Sequence, residues 1–403
     1  MGSPFSMDEA FYIVAGLNLL LALWSLWGGF QWFTLARRSR LRHAGFYAPR
    51  VALICPCKGL EPGIDLNLSA LTEQGYPSFE VFFVLARSDD PARSAVKFAA
   101  DASPVPAHVV IAGKPVDCGE KVNNLRVAVE QLDLGFEVFV FADSDGRPDK
   151  HWLEHLVAPL HNPQLGAATS FRWWLPDRGG FWSAFGAAWD AGIATMQGAH
   201  NHNFCWGGAT AIRRATFEQT AVNTHWNGAV SDDWAMTRAL RAAGRHIEFV
   251  PECLVPTIRD ANLRGLLEFS NRQITITRVY APRTWFEGLL FHLLYCAGFV
   301  LGLLLIVQAW MVGQLWLTTA LILILVMLLV ALKGLVRWLA VNELLPAWRH
   351  KLLSYAWAWS LLAPLVPFLY TINFIVSIFR RNIKWRGVRY RLISAGQTKI
   401  LSY

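Results

Sequence analysis

The sequence predicts an α/β domain, strands alternating with helices, held between α-helical transmembrane segments. Three observations predict it. Apolar runs at about 11–35, 286–312, 315–332 and 352–379 approach or exceed the roughly 20 residues that cross a bilayer. A long, more charged stretch lies between the first run and the second. Within it, short apolar runs ending in polar turns alternate with helical patterns. With 54% hydrophobic residues among 403 and a mean hydropathy of +0.31, the chain is too apolar for an ordinary soluble enzyme.

The first run is too long for a signal peptide, lacks a small-residue cleavage site and is followed by Arg37, Arg38, Arg40, Arg42 and His43. Positive flanks stay on the cytosolic side, so the expectation is a multi-pass protein, of a bacterial inner membrane, with its central domain in the cytosol. The domains follow: an anchor at 1–36, a cytosolic domain at 37–284, membrane helices at 285–380 and a basic tail at 381–403. Six cysteines form no paired framework, and Cys55 and Cys57, with one residue between them, read as strand residues rather than a zinc knuckle. The net charge of +8 concentrates beside the apolar runs, which suits a bilayer surface and not nucleic acid.

Residues 51–55 form a strand ending at Pro56, followed by a Lys58-Gly59 turn and a helix within 61–74. Strands at 80–86, 107–112 and 136–142 alternate with helices at 91–101 and 121–132, which predicts a mainly parallel sheet covered on both faces. Ligands of such sheets sit outside the carboxyl ends of the strands, where Asp89, Asp90, Asp143 and Asp145 all fall. Residues 181–199 place Phe181, Trp182, Phe185 and Trp189 on roughly one helical side. A helix at the membrane surface and one facing a core both fit this pattern.

Asp143-Ser144-Asp145 after an apolar strand suits Mg²⁺ or Mn²⁺, because hard cations take carboxylate oxygens and complete their shell from phosphate oxygens. Of Asp89 and Asp90, one is expected to shape the turn into the next helix and the other to meet a ligand. Lys121 opens a helix after Gly119, with Asn123 and Asn124 behind it, and could face phosphate. Trp206-Gly207-Gly208 permits close approach of a backbone to a ligand, or simply makes a turn. Asp232-Asp233-Trp234 begins an amphipathic helix, where a carboxylate favours its ionised form and can act as a base. His200 and His202 lack the spacing of a helical metal pair.

Taken in order, Pro56-x-Lys58-Gly59, Asp89-Asp90-Pro91, Lys121-x-Asn123-Asn124, Asp143-Ser144, Trp206-Gly207-Gly208, Asp232-Asp233-Trp234 and Trp385-Arg386-Gly387-x-x-Tyr390-Arg391 resemble the ceramide glucosyltransferases and their bacterial relatives. The likeness runs from about residue 50 to 395. It implies a GT-A fold and inverting transfer of a sugar, usually glucose from UDP-glucose, to a membrane lipid. One of Asp89 and Asp90 would hold the uridine portion, Asp143 and Asp145 the metal and nucleotide, and Asp233 would be the general base. Lys121, Asn124, Trp206, Gly207, Asp232 and Arg272 complete the expected substrate contacts. The family commonly has Gly where this chain has Asp145. Its Gln/Arg-x-x-Arg-Trp signature falls here on Arg272-Gln273-Ile274-Thr275-Ile276, without Arg-Trp, with Arg278 close by. A hopanoid or other hydroxylated bacterial lipid is therefore an alternative to ceramide, and a polysaccharide synthase is a rival enzyme. A nucleotide-sensing transporter is disfavoured because charges are few within the apolar runs.

Four full spans would leave the tail outside, whereas Arg380, Arg381, Lys384, Arg386, Arg389 and Arg391 favour the cytosol. Pro364 and Pro367 offer a break that turns the last run back within the protein.

Overall fold

The computed structural model describes residues 6–39 and 47–403. The chain starts with a long helix, α1 (Met7–Ser39), of 33 residues. The domain follows as β1 (Val51–Cys57), α2 (Ile64–Thr72), β2 (Phe79–Leu85), α3 (Arg93–Asp101), β3 (Ala107–Ile111), α4 (Glu120–Gln131) and β4 (Val138–Ala142), close to the elements expected. Next come α5 (Trp152–Val157), β5 (Leu165–Thr169), β6 (Arg172–Leu175), α6 (Phe181–Ala194), β7 (Ala209–Arg213), α7 (Arg214–Gln219), α8 (Val222–Trp226), α9 (Asp232–Ala242), β8 (His246–Phe249), β9 (Val255–Ile258) and α10 (Leu263–Tyr280).

The central sheet has the order β3-β2-β1-β4-β7-β5-β8. Its β3-β2-β1-β4 half is parallel, but β7 runs antiparallel to both β4 and β5. The sheet is therefore mainly parallel, as expected, with β7 as its one reversed strand. Physically, β7 does not follow a crossover from β4. It enters after α6 and a loop, from the rim where β4 ends, so that Ala209 pairs with Ala142. That reversal brings Trp206-Gly207-Gly208 beside Asp143.

Strand alternation sends side chains to two cores. Val51, Leu53 and Cys55 of β1 join one core, while Ala52 and Ile54 join the other. Cys55 and Cys57 are buried strand residues, as expected. The first core continues through α6 and α10 into Ala340, Val341 and Trp359 of the membrane helices.

Those helices are α11 (Pro282–Met311), α12 (Leu317–Leu344), α13 (Arg349–Ser354), α14 (Ala356–Leu361) and α15 (Val366–Phe379). Four segments are apolar and long enough to cross a membrane: α1, α11, α12 and 356–379. The fourth is broken by a turn at Ala363–Leu365, where Pro364 and Pro367 remove backbone donors. Trp338 Nε1 donates to the carbonyl of Leu352, and Gly334 lies against the Trp359 carbonyl, so α13 and α14 run down along α12. At the bottom, Tyr295 of α11 donates to the Pro364 carbonyl at 2.9 Å. From there α15 climbs back along α11, and Trp285 Nε1 reaches Ser377 Oγ at 2.9 Å. This segment enters and returns on the domain side.

The basic tail is β10 (Asn382–Trp385), β11 (Val388–Ser394) and β12 (Gln397–Ser402), an antiparallel sheet whose strands the sequence analysis did not anticipate. It packs on the α/β domain: the Glu120 amide donates to Tyr390 Oη at 3.2 Å, and Tyr403 Oη donates to the Pro115 carbonyl at 3.0 Å. The core-facing reading of 181–199 holds for the middle of α6. Trp189 is fully buried, stacks on Tyr370 at 4.8 Å and donates to Asn373 Oδ1 of α15, while Phe181 and Trp182 at the helix start are exposed.

Candidate active site

Lys121 is the hub of the strand rim. Its Nζ lies 2.7 Å from Asp143 Oδ1 and 3.2 Å from Asp232 Oδ2, and it donates to the Gly207 carbonyl at 3.2 Å. One ammonium thus joins the first turn of α4, the end of β4, the approach to β7 and the start of α9. Burial pulls the lysine's pKa down, but Asp143 and Asp232 outweigh it and raise it above its ordinary value. Burial likewise pushes Asp143 up, yet Lys121 prevails and holds that carboxyl below its usual range. Asp232 is the partner that gives way: burial drives it up to about 7 despite Lys121.

The two glycines are there for space. A Cβ on Gly207 would fall 2.0 Å from Asp232 Oδ2, and one on Gly208 would fall 2.3 Å from the Trp206 ring and 2.7 Å from Asp143 Oδ2. Asp233 accepts from Ser231 Oγ and, at 2.7 Å, from the Trp234 amide. Both bonds fall on Oδ1, and among the described residues none falls on Oδ2. Ser231 is the N-cap residue of α9.

Asp89 and Asp90 follow β2 at the same rim. Asp90 Oδ1 accepts from the Gly59 amide at 2.8 Å and the Ala92 amide at 2.9 Å, so it shapes the turn and ties it to the loop after β1. Asp89 is exposed and pairs with Arg87. Asn124 is buried with its Oδ1 unpartnered among the described residues. Two amides at the start of α4 are not open to phosphate, since Gly119 donates to the Ala229 carbonyl and Glu120 to Tyr390.

The Trp385-Arg386-Gly387 motif of the tail lies at this site, as expected. Trp385 pairs with Val388 across a two-residue turn, with Arg386 at φ +45° and Gly387 at φ +85°. Positive φ at both positions is what a type I′ hairpin turn requires. The turn aims Arg386 at the rim: it donates to the Lys58 carbonyl at 2.8 Å, pairs with Glu61 and lies 3.7 Å from Asp145 Oδ2. The Arg272 guanidinium lies 5.4 Å from the Phe269 ring and 5.5 Å from that of Trp385, so one of the two aromatics beside it comes from the tail. Arg278 does not stand in for the missing Arg: it reaches the carbonyls of Ile378 and Arg380.

Arg172, which sequence reading missed, forms a two-pronged pair with buried Asp190 at 2.7 and 3.0 Å and lies over the Trp206 ring. Arg272 has burial and the neighbouring Arg259, Arg172 and Arg386 against its charge, and its pKa falls to about 9. A cluster of arginines facing Asp143 and Asp145 makes a place for a multiply charged anion.

Asp143 and Asp145 supply hard oxygens, and Gly208 leaves room beside Asp143. Among the described residues no group of three or more His, Cys, Asp or Glu could hold a metal ion by itself. The pair therefore fits a Mg²⁺ or Mn²⁺ whose shell is completed by diphosphate oxygens. From this rim a cavity of about 1180 Å³ runs past Trp206, Arg272 and Trp385 to Trp24, Phe291 and Arg337 of the membrane helices. Asp233 lines its domain end.

Carboxylates and arginines stand at a strand rim that opens into a cavity descending among helices apolar and long enough to cross a membrane. The chain belongs to glycosyl transferase family 21, whose model matches residues 10–398, and it is a glycosyltransferase. The resemblance read from the motifs thus holds at the level of the family. Among solved structures, the mannosyltransferase PcManGT from Pyrobaculum calidifontis, in complex with GDP-Man and Mn²⁺, is similar with 18% identity and a TM-score of 0.49 over 86% of this chain and 97% of that one. Glucosyl-3-phosphoglycerate synthase from Mycobacterium tuberculosis is similar with 15% identity and a TM-score of 0.38 over 68% and 84%.

Proposed function

We propose that this protein transfers a sugar, glucose from UDP-glucose in the first instance, with inversion onto a hydroxyl of a membrane lipid. Ceramide and other hydroxylated lipids such as hopanoids are the candidate acceptors. The observation that carries the reading is the cavity that joins Asp233 and Asp143 to the membrane helices, since a soluble acceptor would need no such path.

Asp143 and Asp145 would hold a Mg²⁺ or Mn²⁺, which would supply charge neutralisation for the departing diphosphate. Arg272 and Arg386 add fixed positive charge on the same side, and Lys121 keeps Asp143 ionised and in place. The uridine end would lie toward Asp89. The acceptor hydroxyl rises from the membrane end and gives its proton to Asp233 Oδ2. Its oxygen then bonds to the anomeric carbon as the bond from that carbon to the β-phosphate oxygen breaks. The electron pair leaves with UDP, and attack opposite the leaving group gives inversion.

The test is mass spectrometry of lipids after the purified protein, in phosphatidylcholine nanodiscs, is given UDP-glucose and either ceramide or a hydroxylated hopanoid. A glucosylated lipid is the expected product. Growth of a sugar polymer, with no lipid glycoside, would replace this reading with a polysaccharide synthase.

A further inference from the structure

The membrane end of the cavity carries two cations on one face of α12, Lys333 and Arg337, one helical turn apart. Arg337 is only 7% exposed, and its Nε has no hydrogen-bond partner among the described residues. Lys333 Nζ donates to Ser25 Oγ of α1. Among the described residues no carboxylate lies within 4.0 Å of either cation, whereas Arg172 and Lys121 at the domain end are both paired.

A charge within a membrane helix is costly, so two of them in one cavity call for a reason. Reaching for the membrane surface is not the reason for Arg337. It stands seven residues before the end of α12, about 10 Å along the axis, and its side chain is buried instead of extended outward. The groups facing the pair are already committed or uncharged. Tyr370 donates to the Trp189 carbonyl, His292 bonds the Gly288 carbonyl, and Glu287, farther toward the domain, is paired with Arg283. Trp24 and Phe291 stack beside the cavity and are themselves exposed on the membrane face, which is the side from which a lipid would enter.

We propose that Lys333 and Arg337 form a binding site for the acid group, phosphate or carboxylate, of an anionic lipid lying in the cavity. An anion between them receives two charge-assisted partners and removes the cost of leaving both cations uncompensated. The site rests on the reading of the cavity as a lipid path and deepens it: among hydroxylated lipids, those bearing an acid group are the ones this end of the cavity selects.

The full-length protein in a neutral detergent, with dodecyl phosphate as the probe and native mass spectrometry as the readout, tests this. One dodecyl phosphate is expected per chain, bound at least ten-fold more tightly than uncharged-overall dodecylphosphocholine. K333Q and R337Q should each weaken it ten-fold or more, while R337K retains most of the affinity. UDP binding at the other end of the cavity reports that the variants are folded, and if R337Q is not, K333Q alone decides. Equal affinity for dodecylphosphocholine, unchanged binding in the Gln variants, or equal competition by inorganic phosphate would each overturn the site. Dodecyl phosphate bound as expected, with no sugar passed to any lipid, would sink the transferase reading and leave the site standing.

Discussion

At the scale of single residues the site turns on how two carboxylates, Asp143 and Asp232, share one lysine. Asp233 lies outside that sharing, with Oδ2 free to take a proton, so D233N keeps shape and removes the acceptor. Its turnover is expected to fall by roughly 10²–10⁴-fold with UDP binding retained. Loss of UDP binding in place of turnover would make Asp233 a donor contact. D143N and D145N are expected to abolish transfer in a folded protein, and EDTA to do the same reversibly with Mn²⁺ or Mg²⁺ added back. Asp232 gives a pH signature. Its folded pKa, near 7, stands above the ordinary carboxylate value of about 4, so the folded state keeps a proton that the unfolded chain has released between those values. That group's contribution is present at low pH and is lost as pH rises through about 7. The melting temperature of D232N should therefore fall less steeply than that of the parent between pH 5 and pH 7, and parallel curves would show that Asp232 is ionised throughout. These aspartates were legible in the sequence because each follows an apolar strand or begins a periodic helix. Arg386 was legible only within its Trp385-Arg386-Gly387 motif, and Arg172 and the approach of Trp385 to Arg272 were not, because single arginines carry no periodic signal and their partners lie away from them in the chain.

At the scale of elements, local pattern and tertiary direction part company. β1, β2, β3 and β4 were readable as apolar runs closed by turn residues, since strand length and alternation are local properties. The antiparallel course of β7 was not, because its direction is set by where α6 delivers the chain. The tail's turn motif was legible, but the sheet that carries it was not, for a related reason. Its charges dominate its composition, yet Ile383, Val388, Tyr390 and Leu392 alternate inward and are buried. Tyr390 binds that sheet to α4 by accepting from the Glu120 amide, a donor that no helical carbonyl can satisfy. Y390F should leave this buried amide unpaired and cost about 1–3 kcal/mol, read as a lower melting temperature. Activity should drop with it, because the same sheet carries Trp385 and Arg386 to the site. A variant as stable and active as the parent would show that the tail is held by its apolar face alone.

At the scale of the whole molecule, the number of crossings follows from contacts and not from counting apolar runs. α1 arrives at the domain, α11 leaves it, and α12 returns, so the loop at 312–316 lies on the far side. A fourth full crossing would carry β10, β11 and β12 to that side too. Those strands instead touch Glu120, Lys58 and Pro115 of the domain, and α14 and α15 are joined by a proline turn at the level of Tyr295. Such a broken helix is tolerated at membrane depth because it is buried against protein, with Trp338, Tyr295 and Trp285 bonding to it along its path. The basic residues at 380–391 then share a side with Arg37 and Arg38, which the positive-inside bias places in the cytosol. Cysteines introduced at Ser394 and at Gln314, in a background without the native cysteines, separate the possibilities in intact cells treated with a membrane-impermeant thiol reagent. Q314C is expected to label and S394C to stay silent until the cells are opened. Labelling of both in intact cells would mean that the last segment crosses fully, whereas labelling of S394C alone would turn the whole domain to the outside.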